Sequence, residues 1–168
     1  MMTIIPDKIR HFLKEHGVSF NEVHHEPTYT SEDSARARGV ELSIGAKAIL
    51  AKADDSFILF VLPADAKLDS AAIKRALGLK KIRFATREEL FDLTGLVPGC
   101  VPPFGEPILP FPLFCDSSLG KINDRVAFNA GSLTMSIIMS AADWERVAKP
   151  VRLPIRQKNS GIPSYLPY

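Results

Sequence analysis

The chain has 168 residues and a mass of 18.5 kDa; 46% of its residues are hydrophobic and 24% charged, with 10 glycines, 13 prolines and a formal net charge of +2. A chain of this size buries roughly 70% of its unfolded surface, so one globular domain is expected and disordered or collagen-like readings are excluded. The longest nearly uncharged stretch, Thr94 to Cys115, holds six prolines and a glutamate and cannot form a membrane helix, and Met1 to Lys8 carries no basic flank before a long apolar run.

A cytoplasmic protein without a membrane partner is therefore expected. Asp7 to His16 places Ile9, Phe12 and Leu13 on one helical face and runs into Gly17, a candidate left-handed cap. Val18 to His24 alternates as a short strand does, and Ser31 to Arg38 reads as a helix with Thr30 or Ser31 at its cap and acids in its first turn. Ala46 to Ala53 and Ser56 to Leu62 are apolar runs about Asp54-Asp55, a hairpin of core strands. Asp69 to Leu77 is predicted as a helix closed by Gly78, Lys81 to Ala85 as a strand, and Thr86 to Leu93 as a helix with a Thr-x-x-Glu capping box. Leu113 to Cys115, Arg125 to Asn129 and Thr134 to Met139 read as strands and Ala141 to Val147 as a last helix. Interleaved helices and hairpins predict an α+β fold with a mixed sheet.

Residues 151–168 are expected to form a Pro-rich basic extension beyond a domain spanning 1–150. From Arg146 onward there are five basic residues and no acidic ones, against 16 basic and 19 acidic before it. Such an end is either a solvated tail or, through Arg152, Arg156 and Lys158, a contact for a polyanion. Cys100 and Cys115 lie too far apart for a Cys-x-x-C pair, and no thiolate metal site can be completed, so no metal or cofactor is expected.

The segment Thr94 to Pro107, TGLVPGCVPPFGEP, combines glycines that let a ligand approach the backbone with prolines that hold the loop in few conformations. A loop of this kind either presents its N–H groups to a carbonyl or simply turns a corner of the sheet. It is no phosphate-cradling P-loop, because no Gly-Lys-Ser/Thr closes it.

Three motifs occur in order: Gly45-Ala46-Lys47-Ala48-Ile49-Leu50 on a strand, Thr94-Gly95-x-x-x-Gly99-x-x-x-Pro103-x-Gly105, and Phe128-Asn129-Ala130-Gly131 before another strand. Together they resemble the YbaK family, the domain inserted for editing in bacterial prolyl-tRNA synthetases. The resemblance covers roughly residues 5 to 150, and Thr30 to Ala35 and Leu77 to Ile82 add to it. It implies a partly barrel-like sheet flanked by helices and a deacylase working in trans, since a synthetase catalytic domain does not fit in this length. The implied substrate is alanine or cysteine carried on proline tRNA, or a related mischarged tRNA, bound by its acceptor end. A synthetase is a further implied partner, and neither DNA nor membrane is. Second-site hydrolysis suits errors that a hydrophobic synthetase pocket rejects weakly.

The resemblance implies that Lys47 and Gly99 are catalytic, Lys47 as a cation opposing charge on the ester and Gly99 through amide donors. Thr30, Cys100, Pro103, Gly105, Asn129, Ala130 and Gly131 are the implied substrate-binding residues. Without the resemblance Lys47 reads as a solvated strand-edge lysine, as Lys52 does. No Gly-x-Ser-x-Gly elbow accompanies the histidines, so water or a group of the substrate is the expected attacker. Cys100 lacks an evident His partner, and His24-His25 point to opposite faces of a strand, which disfavours a thiol nucleophile and a metal site. Arg36 and Arg38 fit a solvated helix face or a phosphate contact. Asn129, Ser132 and Leu133 depart from the family's usual residues. That departure keeps open a non-catalytic module binding aminoacyl-tRNA or a synthetase, and a hydrolase of another small ester is a third reading.

Overall fold

A computed structural model describes residues 4–121 and 123–158. Among the described residues there are five α-helices and eight strands, the strands forming two sheets. Helix α1 (Ile5–Glu15) starts ahead of the expected Asp7 because Pro6, which needs no intrahelical N–H partner, sits in its first turn. It buries Ile9, Phe12 and Leu13 against the core. Strand β1 (Phe20–His24) follows, then α2 (Ser31–Arg38), whose Thr30 cap oxygen accepts the Asp33 N–H at 3.0 Å.

Strands β2 (Ala46–Ala53) and β3 (Ser56–Pro63) pair antiparallel from Ala46↔Pro63 to Ala53↔Ser56, the two-residue turn having Asp54 at φ 52°. Leu59 and Val61 face the main core while Phe60 and Leu62 face a second cluster with Ile73 and Ile155. Burial on both faces explains the unbroken apolar run of β3. Helix α3 (Ser70–Leu77), strand β4 (Ile82–Phe84) and helix α4 (Arg87–Thr94) come next, α4 with the full Thr86/Glu89 capping box. After the Gly/Pro loop come β5 (Leu113–Asp116), β6 (Arg125–Asn129), β7 (Met135–Ser140), α5 (Ala141–Ala148) and β8 (Val151–Leu153).

One sheet has the order β1-β7-β6, all antiparallel; the other runs β4-β2-β3-β5-β8, with β5 parallel to β3 and to β8. A parallel bridge between Gly45 and Ala127 joins them. The strands therefore form a mixed two-sheet arrangement and not a closed barrel. The main core lies between the sheets around Trp144, Phe104 and Phe128, and Trp144 Nε1 donates to the Pro103 carbonyl at 2.9 Å.

The C-terminal segment differs from the expected tail. Beyond β8, Ile155 is fully buried, and Asp116 Oδ1 accepts the N–H groups of Ile155 and Arg156 at 2.9 and 3.0 Å. Arg152 makes a two-pronged pair with Glu145 at 2.8 and 2.9 Å and donates to the carbonyls of Asp116, Ser117 and Leu119. Three residues flanked by prolines carry little strand signal of their own, and the open edge of β5 supplies the pairing. The prolines at 163 and 167 lie outside the described residues. No described helix is long and apolar enough to cross a membrane.

Candidate functional site

Strand β4 pairs with β2 only from Ala51 to Ala53, so the Ala46–Ile49 stretch of β2 has no β4 partner and, with the preceding Gly45, borders a cleft of about 230 Å³. The opposite walls come from the Thr28–Ser31 turn and α2, from Ala64, from Gly99 and Val101 of the Gly/Pro loop, and from Asn129 at the end of β6. Several of these side chains carry hydroxyls, and Ser34 Oγ donates to Thr28 Oγ1 at 2.9 Å in the wall.

Lys47 is half-buried with Nζ donating to the Ala64 carbonyl at 3.2 Å. Burial pushes its pKa below that of an ordinary lysine; Asp65 and Glu32 pull it up and Lys67 presses it down. Among the described residues no carboxylate lies within ion-pair distance of it. Gly99 stands at φ +92°, a left-handed backbone that side-chain-bearing residues rarely adopt, and a Cβ there would meet Leu133 at 3.1 Å. The Cys100 N–H is engaged by the Val97 carbonyl at 3.1 Å, whereas the Gly99 and Val101 N–H groups have no backbone acceptor among the described residues.

Asn129 ties this loop to α2. Its Nδ2 donates to the Gly99 carbonyl at 2.8 Å, while its Oδ1 accepts from Arg38 Nη2 at 3.1 Å and from Ser136 Oγ at 3.0 Å. Arg38 Nε donates to Ser136 Oγ at 2.9 Å, and His25 Nε2 lies 2.8 Å from the same oxygen. Burial pushes Arg38 down to about 10, which leaves it cationic at neutral pH.

Of the residues singled out in the sequence, Lys47, Gly99, Thr30 and Asn129 border the cleft together. Cys100, Pro103, Gly105, Ala130 and Gly131 do not line it. Cys100 packs in the main core with burial raising its thiol pKa, and Pro103 serves Trp144. Gly105 passes so close to the Phe111 carbonyl that a Cβ would sit 2.7 Å from it. Ala130 is fully buried, and Gly131 donates to the Cys100 carbonyl while packing on Ile5 and Pro6. These five shape the loop from behind. Arg38, for which the sequence left a solvated helix face and a phosphate contact both open, lines the cleft as well. In the structure Ser34 and Ala35 are the buried face of α2, and Arg38 stands four and three positions after them.

Residues 25–147 match the aminoacyl-tRNA editing domain family. The chain belongs to that family. It is 34% identical over 150 residues to the Multifunctional Ser/Thr-tRNA deacylase ProXp-y of Escherichia coli K12, covering 86% of this chain and 89% of that protein. It is 36% identical over 84 residues to a proline–tRNA ligase of Bacillus licheniformis, half of this chain but 15% of the ligase. A crystal structure described as a candidate trans-editing enzyme for prolyl tRNA synthetase superposes with a TM-score of 0.80 at 22% identity, over 94% of this chain and all of that one, which establishes the shared fold. Family membership makes the chain an editing hydrolase of aminoacyl-tRNA ester bonds.

Proposed function

We propose that the cleft hydrolyses mischarged aminoacyl-tRNA in trans and that its preferred amino acid is small and hydroxyl-bearing, serine or threonine. The observation that carries the catalytic reading is the pairing, across one cleft, of a Lys47 ammonium with no carboxylate in ion-pair distance among the described residues and of Gly99 and Val101 amides with no backbone acceptor among them, in a Pro-rigid loop. A carbonyl placed between them gains stabilisation as its oxygen becomes negative. Water adds to that carbonyl, the ester C–O bond breaks, and the free amino acid and the terminal ribose hydroxyl of the tRNA leave. No side chain needs to form a covalent bond: Cys100 packs away from the cleft, and positioning with electrostatic stabilisation carries the rate.

The amino-acid preference rests on the wall. Thr28, Thr30, Ser31 and Ser34 bring hydroxyls to a small cleft, and a site that hydrogen-bonds a substrate hydroxyl discriminates strongly against the analogue lacking one. The name of the E. coli relative supports the same preference. Alanine or cysteine on proline tRNA, the substrate implied by the sequence motifs, is the competing specificity. Incubating the protein with a panel of Ser-, Thr-, Ala- and Cys-charged tRNAs decides between them. Faster clearance of Ser- or Thr-tRNA is expected; faster clearance of Ala- or Cys-tRNA overturns the preference, and hydrolysis of none overturns the editing assignment.

A further inference from the structure

Arg38 is a buried-side cation that the ester chemistry above does not use. It sits in the last turn of α2 with Nε and Nη2 donating to Ser136 and Asn129, both neutral, and no carboxylate among the described residues lies within ion-pair distance. Its Nη1 has no acceptor among the described residues. No buried side-chain nitrogen or oxygen there lacks a hydrogen-bond partner, so Nη1 is open to solvent, and Arg38 lines the cleft.

Arg38 Nη1 lies beside Gly45. The position of a Cβ on Gly45 lies 3.6 Å from Arg38 Nη1 and 2.8 Å from the Ala64 Cβ, and the Ala64 carbonyl holds Lys47 Nζ at 3.2 Å. Two partly buried cations with no carboxylate within ion-pair distance among the described residues thus border one corner. Such charges favour an anion brought to their solvent-open side. An aminoacyl ester cannot supply it in the ground state: the ester is neutral and the α-amino group is cationic. The ground-state anions of a tRNA 3′ end are its phosphodiesters, which match a guanidinium edge better than a single point charge does.

Resting on the editing function proposed above, we propose that Arg38 is a substrate-binding residue whose Nη1 edge takes the phosphate 5′ to the terminal adenosine at the Gly45–Ala64 corner. The ester then lies one ribose away, toward Gly99 and Val101. Asn129, held by the other edge of the same guanidinium, couples phosphate binding to the orientation of the Gly99 turn.

Binding of 5′-AMP and adenosine separates this role from a structural one, because the two probes differ only in that phosphate. The wild type is expected to prefer 5′-AMP by about tenfold or more, the effect of one charge-assisted contact, with inorganic phosphate much weaker than either gain implies. Arg38→Gln is expected to lose the preference and Arg38→Lys to recover part of it. In kinetics, Arg38→Gln should raise KM for charged tRNA far more than KM for an aminoacyl-adenosine ester. Equal wild-type affinity for 5′-AMP and adenosine, inorganic phosphate binding as tightly as 5′-AMP, or an equal loss on both esters overturns the assignment. The wild-type comparison stands even if a variant fails to fold. A protein that prefers 5′-AMP through Arg38 yet hydrolyses no charged tRNA keeps the subsite and loses the editing function.

Discussion

Two arginines are drawn inward at different places in the fold and are treated in opposite ways. Arg152, on the last strand, meets Glu145 with two nitrogens and caps three carbonyls, so its charge and most of its donors are satisfied by the chain itself. Arg38, at the cleft, has two neutral partners, an open Nη1 and no acid within reach among the described residues. The first arrangement closes a sheet edge. The second leaves a charge for something outside the chain, and the contrast separates a scaffold arginine from a ligand arginine in one molecule.

The contrast breaks if exchanging the two residues for neutral ones gives the same phenotype. Arg152→Ala is expected to cost about 2 kcal/mol of stability, because several donors vanish while their acceptors remain; in a domain of this size that lowers the melting temperature by roughly 4–8 °C. Arg38→Gln should shift stability by less than about 1 kcal/mol in either direction, since the lost hydrogen bonds are offset by removal of an uncompensated charge. Thermal melts of both variants, read beside deacylation rates, check the crossing: Arg152→Ala should lose stability and keep turnover, Arg38→Gln the reverse.

Asn129→Ala sharpens the link between the ligand arginine and the reacting centre. Without Nδ2 the Gly99 carbonyl loses its anchor, and a loosened turn should cost about tenfold in the rate of the chemical step, as small misplacements of donors do. A single-turnover rate equal to wild type would uncouple Arg38 from the loop.

The smallest expected effect is a shift in pH dependence. Burial lowers the Lys47 pKa, so the enzyme-dependent rate should begin to fall with rising pH earlier than an ordinary lysine would allow. Stability responds with the opposite sign. Between the lowered folded value and the unfolded one, the unfolded chain binds more protons, and stability rises with pH in that window. Rate profiles corrected for spontaneous ester hydrolysis, measured beside denaturant melts, test both signs.

The parts of this picture that local chemistry controls were legible in the sequence. The β2–β3 hairpin, the Thr86 capping box and the helix end at Gly78 all follow from residues within a few positions. Strand β8 was not, because its pairing partner lies 37 residues upstream in the Phe114↔Val151 register and its own three residues carry little propensity. In the site, motifs marked the right loop and strand but not which atoms face the cleft. Cys100 and Gly131 share motifs with Gly99 and Asn129, yet pack behind the wall that their neighbours form. For Arg38 a short, weakly amphipathic helix left a solvated face and a phosphate contact both open, and only the position of β7 and β6 reveals the Ser136 and Asn129 partners that draw it in.

The central claim is that the cleft between Lys47 and the Gly99 turn is where the ester is hydrolysed. Single-turnover deacylation of the best charged tRNA by wild type and Lys47→Ala, with melting curves for both, addresses it most directly. Loss of an electrostatic contact to the developing oxyanion should slow the reaction by about a hundredfold or more with the fold retained. A folded Lys47→Ala protein that clears the charged tRNA at the wild-type rate would contradict the account.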